Sequence, residues 1–152
     1  MGARRQSREI ALQALYRIEL TGDASPEALE RLWQHFEAPI EARRFALELI
    51  DGVLAEREAI DRMLADAAEH WRLGRLSRVD LNVLRIAAYE LLQHDEHVST
   101  SVVIDEAIEI ARRFGGEESS RFVNGILDEI AGRLGVRERR GPSITTDGDE
   151  RE

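Results

Sequence analysis

The first twenty residues carry the side chains that are best suited to bind a ligand. On a helix with about 3.6 residues per turn, Arg5, Arg8 and Tyr16 fall on one face together with Leu12, and Gln13 flanks that face. Guanidinium groups pair with phosphates and stack on bases, a tyrosine ring stacks on a base, and an amide reads a base edge. This combination predicts a surface that binds single-stranded RNA.

The same face also has a purely structural interpretation. Leu12, Tyr16 and Leu20 could form a second apolar stripe that docks the helix on another part of the protein, with the arginines merely solvated. We favour RNA binding, which requires that the ring of Tyr16 stay accessible to a nucleotide. A Tyr16 ring sealed between helices would leave only the structural interpretation.

Charge is distributed unevenly along the chain. The 152 residues include 30 acidic residues and 21 basic ones, all arginine, for a net charge of -9. Residues 1–20 hold four arginines and two glutamates, a local +2, which leaves -11 on the remainder. Three arginines paired with single-stranded RNA imply a log–log salt slope of only about -2, and one stacked tyrosine adds about 1–3 kcal/mol. Because these contacts would give only a weak affinity for RNA, we expect a second, basic protein to bind the RNA together with this one.

The sequence contains no pattern typical of an enzyme or a metal site. It has no cysteine, no Gly-x-Ser-x-Gly elbow and no glycine-rich phosphate loop. The segment from His94 to His97 has ligand-like spacing, but it falls at a predicted helix end, where a solvated turn is expected. Asp105, Glu106 and Glu109 are interpreted as the solvent-exposed rim of an apolar stripe. We therefore predict a protein without catalytic activity, metal or cofactor.

Helical periodicity runs through the chain and β-branched alternation is nearly absent, so the predicted fold class is all-α. Proline, glycine and capping residues separate the predicted helices. These helices run from about Ser7 to Leu20, from Ser25-Pro26 to before Pro39, from Ile40 to about His70 with a bend near Gly52, from Ser77 to the His94–His97 segment, from about Ser99 or Thr100 to Gly115-Gly116, and from about Glu118 to Leu134.

The six predicted helices fall into two groups, with a break near residues 71–76. We predict one domain over residues 1–136, with subdomains of about 3–70 and 71–136 that pack as two small bundles in one compact body.

The last residues, 137–152, differ in composition from the rest. They contain one apolar side chain, Ile144, and are expected to be a disordered tail. No apolar run approaches the roughly 18 residues that a membrane span requires, and the start of the chain lacks a hydrophobic signal core. We therefore expect a cytoplasmic protein without membrane contact.

Several sequence motifs extend from the arginine-rich start to the last predicted helix. They are Ala3-Arg4-Arg5 with Arg8, Ala14-Leu15-Tyr16, Leu84 to Leu91 (LRIAAYEL), Asp105 to Ala111 (DEAIEIA), Phe114-Gly115, and Phe122 to Asp128 (FVNGILD). Together, over roughly residues 3–134, these motifs resemble the bacterial transcription antitermination factor NusB family.

The resemblance implies an all-α fold of six to seven helices in two small three-helix bundles. It also implies a heterodimer with ribosomal protein NusE that binds the boxA RNA of ribosomal RNA operons and supports ribosomal RNA transcription. Contact with other antitermination factors and RNA polymerase would be indirect.

Roles for individual residues follow from the face of the first helix and from the resemblance. The first-helix residues assigned to RNA are Arg4, Arg5, Gln6, Arg8, Gln13 and Tyr16, although many relatives have basic residues or alanine where this chain has Gln6-Ser7. A second RNA-proximal region around the glycine turn comprises Gly116, Glu117, Ser119, Arg121, Phe122 and Asn124. Glu118 at this turn would repel phosphate, and it is assigned with Asp80 and Arg85 to the partner-facing side.

Some of these residues have ordinary structural explanations. Arg85 and Glu90 could pair with each other or with neighbouring helices, and Asn124 could be a helix-packing amide. Two other functions stay open: a non-catalytic protein adaptor, and an RNA-binding domain associated with a ribosomal RNA methyltransferase, although this sequence contains no methyltransferase module. A face meant for a partner could also support a homodimer.

Overall fold

The computed structural model describes residues 2–68, 76–94 and 98–136. Within these ranges the chain is helical and contains no strand, which confirms the all-α prediction. The helices are α1 (Gly2–Thr21), α2 (Pro26–Trp33), α3 (Ile40–Ala55), α4 (Arg57–Ala67), α5 (Arg78–Gln93) and α6 (Thr100–Leu134). No helix in the described ranges combines the length and hydropathy that crossing a membrane requires.

Serine side chains begin three of these helices. The hydroxyls of Ser25, Ser77 and Ser99 each accept a hydrogen bond from the backbone N–H three residues later, at 3.0 to 3.2 Å. Each bond satisfies a backbone donor that the first turn of a helix leaves without a partner. The starts predicted at Ser25-Pro26 and Ser77 are therefore confirmed.

The prediction of one long helix from Ile40 to about His70 is wrong in one respect. The chain leaves helical geometry at Glu56 (φ -106°, ψ 18°), so α3 and α4 are separate helices. Gly52 stays helical within α3, and a Cβ atom there would lie 2.0 Å from Cζ of Tyr89 in α5. Gly52 therefore permits the close approach of a ring and does not act as the predicted bend.

The break predicted at Gly115-Gly116 lies inside α6. Gly116 has a φ of 87° and a ψ of -170°, a conformation that residues with a side chain rarely adopt, so two helical segments meet there at a kink. Gly115 is required for space, because a Cβ atom there would lie 2.2 Å from Oγ of Ser119. The buried side chains of Ala111 and Val123 keep both segments in the core.

The first helix begins at Gly2, earlier than the predicted start at Ser7. Tertiary contacts hold the additional turn: Cζ of Arg4 lies 4.0 Å from the centroid of the Phe45 ring in α3, and Arg5 binds Glu106 in α6. The arginine-rich start is therefore part of the helix.

The buried apolar residues form one contiguous cluster to which all six helices contribute. Helix α1 packs against both α3 and α5, and α5 in turn packs against α4 and α6. Because α1 has neighbours on two sides, only a strip of its surface stays open.

Three predicted features lie wholly or mostly outside the described residues. They are the connector near 71–76, of which only Leu76 is described, residues 95–97 of the histidine segment, and the tail at 137–152. The division into subdomains of about 3–70 and 71–136 stays a prediction.

Candidate nucleic-acid interface

Arg5 lies at the edge of α1, and its guanidinium group bridges to α6. Its Nε and Nη2 donate hydrogen bonds to the two carboxylate oxygens of Glu106, at 2.9 and 3.0 Å. The side chain of Glu106 is 7% exposed, whereas that of Arg5 is 39% exposed. The hydrogen bond from Arg5 lowers the pKa of Glu106 despite the opposing effect of burial. The buried carboxylate thus holds a cation that faces solvent.

The other α1 residues assigned to RNA, apart from Arg8, are also accessible. Arg4 is exposed and stacks on Phe45, and Gln13 is exposed. Gln6 is half-buried, and its amide Nε2 donates to a backbone carbonyl at 3.4 Å. Tyr16 is 38% exposed. Tyr16 is therefore open to a nucleotide and is not sealed between helices.

The accessible side chains of Arg4, Arg5, Gln13 and Tyr16 form what we call the open strip of α1, and Arg8 does not lie on it. Its Nε and Nη2 donate to the carboxylate of Glu90 in α5, both at 2.8 Å, and the two side chains are 4% and 8% exposed. Leu12, one turn later, is buried too. The helical-wheel prediction that placed Arg8 and Leu12 on an open face with Tyr16 is therefore wrong, because α5 covers this side of α1. Leu12 docks the helix, as the structural interpretation required.

The glycine turn and the start of α1 lie along the same edge of the molecule. Arg113, just before the turn, forms an ion pair with Glu9 of α1. Arg5 and Glu106 join the same two helices about two turns earlier in α6. We call this edge, defined by Arg5, Glu9, Glu106 and Arg113, the α1–α6 seam.

Most of the second predicted region, which follows the seam, is accessible. Its exposed residues are Gly116, Glu117, Arg121 and Asn124, and its half-buried residues are Ser119 and Phe122. Glu117 pairs with Arg112 at 3.0 Å across the kink. The exposure of Asn124 contradicts the alternative in which its amide packs inside a helix interface.

Two of the three residues assigned to the partner-facing side are buried. Asp80 is 9% exposed and accepts a hydrogen bond from the hydroxyl of Ser119 at 3.0 Å. Arg85 is 4% exposed and donates to the carboxylate of Asp61 at 2.8 and 3.0 Å. These side chains tie α5 to α6 and α4, and their assignment to the partner-facing side stays a prediction. Glu118 is exposed.

Arg85 also reaches α1. Its Nη1 lies 3.5 Å from a carboxylate oxygen of Glu19 and 3.1 Å from Oδ1 of Asn82. Burial acts to raise the pKa of Glu19, but the hydrogen bond from Asn82 and the nearby guanidinium groups, with Arg85 first, lower it overall. Arg85 and Glu90 therefore pair with neighbouring helices, one of the alternatives that the sequence left open, and not with each other.

The sequence interpretation missed Glu106. It placed this residue on the solvent-exposed rim, yet Glu106 is 6% exposed. Val103 and Ile110, three residues before and four residues after it, are both buried. This spacing places Glu106 inside the apolar stripe of α6, so the signal was present in the sequence.

Within the three described ranges, no group of three or more histidine, aspartate or glutamate side chains could hold a metal ion. His94 is exposed and adopts a left-handed backbone conformation with a φ of 46° at the end of α5.

Residues 5–132 match the sequence model of the NusB family. The chain belongs to the NusB family. The transcription antitermination protein NusB of Sorangium cellulosum is 44% identical over 139 residues, which cover 91% of this chain and 99% of that relative. The protein of the same name from Geobacter sulfurreducens is 48% identical over 136 residues, which cover 88% of this chain and 97% of that relative.

Solved structures of NusB proteins are similar to this chain as well. NusB of T. maritima superimposes with a TM-score of 0.74 at 41% identity, covering 85% of this chain and 90% of that one. A crystal structure of antitermination factors NusB and NusE in complex with double-stranded RNA is similar with a TM-score of 0.75 at 25% identity, covering 88% and 98%. The resemblance seen in the sequence motifs is confirmed.

Proposed function

We propose that this NusB-family chain is a non-catalytic transcription antitermination factor that binds the boxA RNA of ribosomal RNA operons together with ribosomal protein NusE. The observation that carries the proposal is the family match over residues 5–132. The relatives matched over 97–99% of their length are antitermination proteins, which gives the methyltransferase-associated alternative less support. This role would place the protein in the cytoplasm, where bacterial transcription takes place.

The open strip of α1 supports RNA binding through its chemistry. Arg4 and Arg5 offer guanidinium groups for phosphates, and the exposed ring of Tyr16 can stack on a base. Arg121 extends the cationic surface beyond the glycine turn. Arg8, by contrast, is buried and contributes indirectly, because its ion pair with Glu90 holds α1 against α5.

Charge supports joint binding with a basic partner. The first 20 residues carry a local +2, and the remaining residues carry -11, so phosphates meet a repulsive field outside the strip. A basic ribosomal protein bound to the acidic body would remove part of this repulsion. The solved complex of a 25% identical NusB with NusE and RNA is consistent with such an assembly.

The proposal is tested by titrating the purified chain with boxA RNA in the presence and absence of purified NusE. Single-stranded boxA, a duplex of the same sequence and a scrambled single strand serve as probes. We expect tight binding only when NusE is present, with single-stranded boxA preferred over the scrambled strand. Tight binding of all three probes by the chain alone would contradict the proposal. NusE binding without any gain in RNA affinity would favour the protein-adaptor alternative.

Contact with further antitermination factors and RNA polymerase, and formation of a homodimer, stay predictions. Sedimentation of the chain with and without NusE measures the last of these. A homodimer that dissociates when NusE is added would show that the two assemblies compete for one face.

A further inference from the structure

We propose that Glu106 is a positioning residue that aims the guanidinium group of Arg5 at an RNA phosphate. The proposal rests on the proposed RNA-binding function. It assigns a role in binding to a buried carboxylate of α6 that itself has no access to RNA.

The geometry of the guanidinium group carries the proposal. An arginine side chain presents two edges with paired N–H donors, one formed by Nε with a terminal nitrogen and one formed by the two terminal nitrogens. Glu106 occupies the first edge, through Nε and Nη2 of Arg5. No described residue accepts a hydrogen bond from Nη1 of Arg5. The outer edge, Nη1 with the second hydrogen of Nη2, is thus available for a phosphate.

Burial makes Glu106 a fixed support. Its side chain is 7% exposed, and its neighbours Val103 and Ile110 are buried. Breaking its pair with Arg5 would leave a buried carboxylate without a cation, which is unfavourable. RNA should therefore bind the outer edge while the inner edge stays on Glu106. The loss of side-chain freedom then occurs on folding and not on RNA binding, which favours affinity.

The positioning role and simple charge attraction predict opposite changes in RNA affinity when the carboxylate is removed. Removing a carboxylate beside an RNA site should tighten RNA binding if only net charge matters. Removing the carboxylate that orients Arg5 should weaken it. Glu109 provides the matched comparison, because its charge also acts on Arg5 while its side chain binds Arg112 at 2.7 Å and is 46% exposed.

The experiment compares E106Q with E109Q in titrations of single-stranded boxA RNA with NusE present. The glutamine introduced by E106Q has nearly the same size as glutamate, but its amide NH₂ would point at a guanidinium donor, so the paired hydrogen bonds would be lost. We expect E106Q to weaken binding about three- to tenfold. E109Q should leave affinity unchanged or tighten it about twofold. Tighter binding by both variants would overturn the proposal.

Two further measurements keep the test decisive if E106Q is unstable. R5K keeps the positive charge but cannot bind two acceptors side by side, so it should weaken RNA binding as much as E106Q does. In the unmodified protein, the NMR signal of the Arg5 Nε–H should keep its position when RNA is added. A large shift would show that RNA displaces Glu106, and it would refute the positioning role. Absence of RNA binding by the unmodified protein with NusE would instead refute the proposed function, and the positioning role with it.

Discussion

Two arginines of α1, one turn apart, bind glutamates in nearly the same way but have different surroundings. Arg5 and Arg8 each use Nε and Nη2 to hold both oxygens of a carboxylate, on Glu106 and Glu90 respectively. Arg5 is 39% exposed, whereas Arg8 is 4% exposed. The same hydrogen-bond pattern therefore fastens a helix in one case and presents a cation to solvent in the other.

The difference arises from what covers each arginine. Arg8 and Leu12 line a cavity together with Val83 and Ile86 of α5 and residues of α6, and the Arg8 side chain is almost entirely enclosed. Arg5 lies nearer the start of α1, where its pair with Glu106 of α6 leaves its side chain partly open to solvent. Removing one member of an enclosed charge pair strongly destabilises the fold, whereas a pair with one open member can also take part in binding.

The largest expected effect is on stability, from R8A. Removing Arg8 leaves the carboxylate of Glu90 enclosed without its cation, which should lower the free energy of unfolding by about 3–5 kcal/mol. Urea denaturation followed by circular dichroism measures this change. The double variant R8M/E90L should recover much of the loss, because apolar residues can replace a buried pair. A loss below about 1 kcal/mol for R8A would remove the distinction between the two arginines.

The second-largest expected effect is on RNA binding, from the exposed side chain of Tyr16. Y16A should reduce the free energy of RNA binding by about 1–3 kcal/mol through the loss of one stacked base, with little change in unfolding. Y16F keeps the ring and serves as the control, so its RNA affinity should match that of the unmodified protein. Equal RNA affinity for Y16A would exclude a stacking role.

Arg5 should affect the salt dependence of RNA binding. R5A removes one phosphate contact, so the log–log slope of affinity against salt should become shallower by about 0.7. R17A is the matched control, because Arg17 is an exposed arginine of α1 that lines a cavity with residues of α2 and is not part of the α1–α6 seam. An unchanged slope for R5A would show that Arg5 makes no phosphate contact.

The smallest expected effect is the pH dependence of the Arg5–Glu106 pair. The pKa of Glu106 is below its ordinary value of 4.5, chiefly because of the hydrogen bond from Arg5. A lowered folded-state pKa means that the contribution to stability is present above the unfolded-state pKa and is lost as the pH falls through the folded-state pKa. The difference in unfolding free energy between the unmodified protein and E106Q should therefore shrink as the pH falls below 4.5 and through the lowered folded-state pKa of Glu106. A difference that grows on acidification would contradict this sign.

Local signals predicted much of the fold. The capping serines and the glycine break placed the starts of α2 and α5 and the kink of α6, because each acts through neighbouring backbone atoms. The prediction of a bend at Gly52 was wrong, since the glycine there makes room for the ring of Tyr89 from another helix. Spacing along one helix contains no information about such a contact.

The candidate site, too, was predicted from the sequence only in part. Residue types alone identified the arginines and Tyr16 as side chains suited to RNA, and the motifs identified the family. The helical wheel failed at Arg8 and Leu12, because α1 packs against two helices and the wheel allowed for one. Asp80 and Arg85 were assigned to the partner-facing side through the family resemblance, and only the tertiary structure shows that they bind Ser119 and Asp61 within the chain.

The sequence by itself determined the helical class, the family and the chemical character of α1, because propensity, capping and side-chain type are properties of short segments. Only the tertiary structure decided which arginine is open and which is enclosed. That outcome depends on where α5 and α6 approach α1, from residues about 80 to 100 positions away in the chain. Solvent exposure is a property of the packed assembly of helices, so no single segment contains it.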